Sequence, residues 1–556
     1  MAGIQLSLWF VEDIFIAAAG FSPLLGRCGF NRSYGCKMKI LSAVAVMTAT
    51  LATVTCAAVP ADAKPAAAAA TTAAEGINWY DGDVDAAFAF AKAHNKPLFL
   101  YWGASWCPPC NQVKATIFNR QGFIERSRFF VPVHIDGDSA GAQKLGERFK
   151  VRGYPTMILF KPDGTEITRL PGEVDADRYL QTLTLGISAN RPVKQTLQAA
   201  LAGARLTADE WRLLAYYSWD TDEQQLVGSK ELPSALKRLA AAAPAGDSAN
   251  RLALSALVAA AAAKAGAAVD QTAAAAQLTK AVTDVHTARE NMDILTNYPA
   301  DLVQLATLPK SPARAKLIAA WNLAMQRLSG DRTLSKTDRL SALAAQVALA
   351  RIDTPDGALA PALIKDVRLR VAQADSATTD AYERQSVINA GAHALSDAGL
   401  LDDSDSLLKA ELKRSHAPYY FMLSLASNAK KRGDKTVAIN WYEQAYQAAQ
   451  GPATRLQWGV AYLSGLLELT PQDEGRIEKV AHTLLQELGS TQNAFYERNR
   501  AALERLGKKL NAWNGDGKHQ AVLGRLRQQR DTVCGKLPAA DAQRATCQGW
   551  LSPTQV

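Results

Sequence analysis

Trp106-Cys107-Pro108-Pro109-Cys110 is the stretch on which the reading of this sequence turns. Just before it, Pro97-Leu98-Phe99-Leu100-Tyr101-Trp102 is an almost unbroken apolar run, the pattern of a central strand covered on both faces. The cysteines therefore fall where that strand turns into a helix. A thiolate is the nucleophile in disulfide exchange. At a helix N-terminus the anion is stabilised by unpaired backbone N–H groups and the helix dipole, which lowers a cysteine pKa from about 8.5 to between ~3.5 and ~7.5. Cys107 occupies that end. Cys110, one turn further, is placed to attack a mixed disulfide at Cys107 and release the reduced substrate. A Cys-x-x-Cys pair is also half of many zinc sites, but no second Cys or His pair lies near it in sequence, which argues against a metal.

The flanks complete an α/β pattern. Asp83 to His94 has amphipathic helical spacing, with Val84, Ala87, Phe88 and Ala91 on one face. Phe130 to Asp136 reads as a strand, Gly141 to Phe149 as a helix, and Val151 to Phe160 as a strand running on from Arg152-Gly153-Tyr154-Pro155-Thr156. Pro162-Asp163-Gly164-Thr165 predicts a hairpin turn into Glu166 to Leu170, and a helix follows over about Asp175 to Leu185. The order is β-α-β-α-β-β-α, preceded by the helix at Asp83.

This order and these motifs resemble the thioredoxin family over residues 76–190. Besides the Cys-Pro-Pro-Cys, the resemblance rests on Asp136 ending its strand, on Arg152-Gly153-Tyr154-Pro155-Thr156, and on Gly172 after the last strand. Lys114-Ala115-Thr116-Ile117-Phe118 through Asp163-Gly164 is most similar to the periplasmic C-terminal domain of the bacterial disulfide-reductant transporter. The resemblance implies a thiol:disulfide oxidoreductase in which Pro155 is cis and faces the active-site disulfide. It also implies that Tyr154 offers backbone groups to a substrate strand, and Trp106 is expected in the flat apolar surface around Cys107. Two positions depart from the family. Tyr101 stands six residues before Cys107, where thioredoxins bury an Asp that assists proton transfer to the resolving thiol. Pro132 replaces a Lys four residues before Asp136.

From Leu206 onward strand-like runs are nearly absent. Helical segments are separated by breakers such as Ala243-Pro244-Ala245-Gly246-Asp247, Thr354-Pro355-Asp356-Gly357 and Gly451-Pro452, so residues 191–530 are expected to be all-α, built of helical hairpins. The turns at Gly399 and Gly433 recur at the tetratricopeptide period. With Ala438, Tyr442, Ala445 and Pro452 near that family's consensus places, residues 380–452 resemble tetratricopeptide helices; an irregular α-bundle is the alternative. The fold class expected is thus a thioredoxin-like α/β domain followed by a large all-α region.

Met38-Lys39 followed by the apolar run Ile40 to Val54 has the layout of a secretory signal peptide, with Ala61-Asp62-Ala63 fitting its cleavage rule. Residues 38–63 are read as that signal and 64–75 as an Ala/Pro-rich linker. Met1 to Lys37 fits neither. Glu12 and Asp13 interrupt its apolar part, each charge costing about 2.5 to 3.5 kcal/mol at a bilayer centre, so 1–37 reads as an extension upstream of a start at Met38, with an N-terminal anchor as the alternative. Of seven cysteines, Cys28, Cys36 and Cys56 lie in the part expected to be removed. The remaining four form two local pairs, and in the tail 531–556 Cys534 and Cys547 are expected to form a structural disulfide. The expected location is the periplasm.

The 556-residue chain carries a net charge of only +9, without basic runs interleaved with aromatics, which argues against nucleic acid as a partner. No stretch after residue 60 has ~18 uninterrupted apolar residues to span a membrane. There is no cofactor motif, so the dithiol must be reduced by another one. The partners expected are protein disulfide substrates and a membrane dithiol electron donor, with the helical region docking partners. The competing reading is a binding scaffold whose α/β module is redox-inert or redox-sensing.

Overall fold

The computed structural model describes residues 76–264 and 269–552. The signal, linker and upstream extension fall outside them.

Helix α1 (Val84–Ala93) starts at Asp83, whose carboxylate accepts from the Ala86 N–H at 2.7 Å, and it buries Val84, Ala87 and Ala91. Strand β1 (Leu98–Gly103) is buried along its whole length. After it come α2 (Pro108–Val113), a π-helical turn over Lys114–Phe118, α3 (Gln121–Ser127), β2 (Val131–Asp136), α4 (Ala142–Phe149), β3 (Thr156–Phe160), β4 (Glu166–Leu170) and α5 (Ala176–Ser188). The sheet order is β2-β1-β3-β4; β2 is parallel to β1, while β3 and β4 run antiparallel to their neighbours.

Central placement of β1 explains its composition. Leu98, Leu100 and Trp102 join the core under α1 and α4, whereas Phe99 and Tyr101 point into the opposite core with Phe118, Phe123 and Tyr179. The β3–β4 hairpin turns at Gly164, whose φ of +86° needs a residue without Cβ. The expected strand over 151–160 begins only at Thr156, because Val151 to Pro155 forms the loop that carries the site.

Among the described residues from Val193 to Gly549 every regular element is a helix, and the three breakers noted above each separate two helices. The near end of this region, including Leu197, Trp211 and Tyr216, shares the core on the α5 side of the sheet. Residues between Leu254 and Ala398 build cores of their own. Helices from Ala417 onward share the core on the α1 side, the side that holds the cysteines.

One boundary differs from expectation. The last long helix was expected to end near 530, but it runs Gln520–Gly535, since no breaker intervenes, and Cys534 lies in its final turn. Cys534 is bonded to Cys547 in the short helix Gln543–Gly549. Gly507 admits the Trp550 carbonyl at this end, which a Cβ there would overlap. Replacing both cysteines with alanine is expected to cost about 3 kcal/mol, the chain-entropy value for a loop of this size. Hydrogen exchange should show the loss concentrated in residues 536–552.

Candidate functional site

Cys107 is the N-cap of α2, and the Cys110 N–H points at its sulfur at 3.2 Å. Pro108 and Pro109 fill the first two helical positions and have no N–H to offer, so this is the donor the local helix supplies. On the other side, Cys107 Sγ lies 3.5 Å from the Tyr154 carbonyl oxygen. Cys107 and Cys110 are bonded to each other, and the Tyr154–Pro155 peptide is cis. Gly172 lets the chain after β4 pass close to the Pro155 ring: a Cβ there would stand 3.2 Å from its Cγ. Trp106, Tyr154 and Pro155 are thus all brought to the disulfide. Asn111, which sequence reasoning missed, braces the loop by donating to the carbonyls of Ser105 at 2.8 Å and Cys107 at 2.9 Å.

Residues 84–186 match the family model of the thioredoxin-like domain. This part of the chain is a thioredoxin-like domain. Over 106 residues the chain is 32% identical to the thiol:disulfide interchange protein DsbD of Pseudomonas fluorescens, and over 102 residues 30% identical to DsbD 2 of Pseudomonas aeruginosa. These matches cover 18% of this chain and 18% and 17% of those proteins, so the chain spans under a fifth of the length of the curated relatives it matches. A solved structure titled DsbH Oxidoreductase is 19% identical, with a TM-score of 0.19, over 21% of this chain and 89% of that one.

In the thioredoxin-like domain the departure at Tyr101 is complete. Its hydroxyl is buried without a hydrogen-bond partner, and burial, with Asp136 adding repulsion, pushes its pKa far up. It is neutral at any working pH and does not replace a buried carboxylate as a proton acceptor.

The flat apolar surface expected around Cys107 is covered. Both cysteines are 0% exposed, Trp106 is 4% and Tyr154 3% exposed. Side chains from the helical region account for this. Trp106 Nε1 donates to Thr454 Oγ1 at 2.7 Å, and its ring meets Trp458 edge-on at 4.9 Å and stacks on Tyr420 at 5.9 Å. The Arg498 guanidinium lies 5.3 Å from the Trp106 ring centre and 5.0 Å from that of Tyr154. Gln385 Nε2 donates to the Trp106 carbonyl at 3.4 Å, and His416 Nε2 to that of Ser105 at 2.9 Å. Nothing local in the sequence marks these residues as neighbours of the site.

Beyond Trp106 a cavity of about 70 Å³ is lined by Pro108, Pro109, Glu173, Asp338 and Asn389 among others. Burial pushes the Asp338 carboxyl up to about 6, although Gln112 donates to it at 2.6 Å. Burial, with Asp220 and Asp293 nearby, pushes Glu173 up to about 8 while Asn297 donates to it. Glu173 therefore holds its proton more tightly in the folded chain than in the unfolded one. Its contribution to stability is full below about pH 4.5 and is lost as pH rises through about 8. Glu173→Gln is expected to stabilise the chain at pH 9 by on the order of 2 to 4 kcal/mol and to leave it unchanged at pH 4. Urea unfolding at the two pH values checks both signs.

Among the described residues the group Asp247, His286 and Glu290 brings donor atoms within metal range. Glu290, however, is already paired with Arg178 and Arg212 and accepts from the Tyr216 hydroxyl at 2.7 Å, so a cation would compete with two guanidiniums.

Proposed function

We propose that the chain is an exported thiol:disulfide oxidoreductase that reduces or isomerises protein disulfides through Cys107 and Cys110. The observation that carries this reading is the Cys107–Cys110 pair at the start of α2, with the Cys107 sulfur against the Tyr154 carbonyl. In the reduced enzyme the Cys107 thiolate attacks a substrate disulfide, forming a mixed disulfide and expelling one substrate thiolate. Cys110, deprotonated, then attacks the Cys107 sulfur, closes the intramolecular bond and expels the second thiolate. The substrate gains two electrons, which a dithiol donor in the membrane restores. Trp106, Tyr154 and Pro155 form the substrate side of the reading, and Cys534–Cys547 is structural.

Direction follows from the sulfur's surroundings. A strong oxidant is one whose reduced form is stabilised. Here two of the amides that would stabilise a Cys107 thiolate are replaced by prolines, and a carbonyl oxygen faces the sulfur. Both features disfavour the anion and hence favour a reductant.

Periplasmic location is supported by the signal-like run at 38–63 and by the pairing of all four remaining cysteines; no helix among the described residues is long and apolar enough to cross a membrane. The domain limits proposed are 76–190 for the thioredoxin-like part and 191–535 for the helical part that docks partners, with the tail beyond. Helices starting at residues 401, 418, 435 and 452, pairwise 34 apart, support a tetratricopeptide-like stretch.

Burial of both sulfurs favours the second reading, a scaffold with a redox-inert module. Equilibration of the full chain in glutathione buffers separates the two. The expected potential lies well below the about −120 mV of a strong oxidant and nearer the about −270 mV of thioredoxin. A pair that never exchanges with glutathione would support the scaffold, and a value near −120 mV would reverse the direction.

A further inference from the structure

The burial of the active-site disulfide is produced by the far end of the same chain. Trp106 is clasped between Thr454, Trp458, Tyr420 and Arg498, residues more than 300 positions away. Around this clasp the seam is polar. Asp138, in the loop after β2, accepts from the Thr454 N–H at 2.8 Å and also from its hydroxyl, which in turn accepts from Trp106 Nε1. Arg152, two residues before Tyr154, pairs with Glu497 at 2.9 Å, and Glu147 on α4 with Arg500 at 3.2 Å. These groups lie on the same side of the domain as Tyr154–Pro155, where a substrate strand would have to dock.

We propose that the C-terminal helices are an autoinhibitory cover: the sealed disulfide is the resting state, and exchange occurs only when Thr454, Trp458 and Arg498 part from Trp106. This rests on the oxidoreductase reading above, since the cover acts on that same site. Two observations indicate that parting is feasible without unfolding the domain. The near end of the helical region stays attached through the separate core on the α5 side, which contains Trp211 and Tyr216 but none of the covering residues. The helices between Leu254 and Ala398 are tied to the domain through Gln112–Asp338 and Gln385–Trp106, and the cores they build contain none of the covering residues, so they can stay in place when the cover parts. Besides the apolar core that the C-terminal helices share with the domain, the seam around Trp106 is made of hydrogen bonds and part-exposed ion pairs. Water can replace those polar contacts on opening, as it cannot in a wholly apolar interface. Cys107 is wholly buried, so in the closed state no thiolate reaches it. The observed rate of exchange is then the rate of the open form multiplied by its population.

The test uses the oxidised full chain. Dithiothreitol reduces the Cys107–Cys110 bond and is itself oxidised to its cyclic disulfide. Timed quenching with iodoacetamide followed by mass spectrometry separates this pair from Cys534–Cys547. The folded wild type is expected to react at least ~10-fold more slowly than the same chain in guanidinium. Thr454→Arg wedges the seam at the first turn of its helix, and Asp138→Lys removes the acceptor from the other side. Each, with native helical circular dichroism, is expected to react at least ~10-fold faster than wild type under native conditions. A folded wild type that reacts as fast as the unfolded chain overturns the cover, and so do folded variants no faster than wild type. Should a variant fail to fold, the wild-type comparison decides alone. Insulin reduction is followed in parallel. Variants that react quickly with dithiothreitol but never turn over insulin support the cover and count against the oxidoreductase reading. Equal dithiothreitol rates, with insulin turned over alike by wild type and variants, sink the cover and spare the enzyme.

Discussion

Cys107→Ser is expected to abolish disulfide exchange by the full chain, by on the order of 10³-fold or more, because a serine hydroxyl is not ionised at neutral pH and forms no mixed disulfide. Cys110→Ser should fail differently. It keeps the nucleophile at the start of α2 and loses the resolving step, so single attacks occur and stall. Insulin turnover should be absent in both, but covalent adducts should form only in Cys110→Ser. If Cys107→Ser retained turnover, or if alkylation at neutral pH labelled Cys110 before Cys107, the two roles would have to be exchanged.

Arg169→Met is expected to produce the largest loss of stability, about 3 to 5 kcal/mol, as for removal of one partner from a buried ion pair. Arg169 is 0% exposed in β4, inside a domain whose other strand residues are mainly apolar. Its guanidinium donates to the carbonyls of Phe149 at 2.6 Å, Lys150 at 3.1 Å and Thr221 at 2.9 Å, and its Nε to Glu166 at 3.0 Å. It therefore fastens the end of α4 and the first loops of the helical region to the sheet edge at once. Methionine matches the volume but leaves those acceptors without a donor. Arg169→Lys should recover only part of the loss, because one ammonium cannot span four acceptors held in a fork. Urea denaturation of the full chain measures both, and a loss below 1 kcal/mol for Arg169→Met would show that the network is not structural.

Local pattern was enough for the α/β domain because its signals are short-range. The apolar run at β1, the Asp83 cap, the Gly164 turn and the two prolines after Cys107 each act within a few residues of where they stand. Pro155 became readable only through a family resemblance, since a cis bond leaves no mark on composition. The cover was not legible at all. Trp458 and Tyr420 sit in helices rich in apolar residues and look like any bundle core residues, and the Trp106–Thr454 bond joins positions 348 apart in sequence. Periodicity says that a helix has a buried face but not against what. The direction proposed for the motif likewise rests on what no local pattern shows: the Cys110 N–H and the Tyr154 carbonyl oxygen beside the Cys107 sulfur.

The most direct test of the central claim is to express Cys110→Ser in the full chain, quench cells with acid, and identify by mass spectrometry what is bonded to it. The account predicts mixed disulfides with other proteins through Cys107, released by dithiothreitol and absent when Cys107 is also replaced. An absence of adducts in Cys110→Ser, or adducts that persist without Cys107, would contradict it.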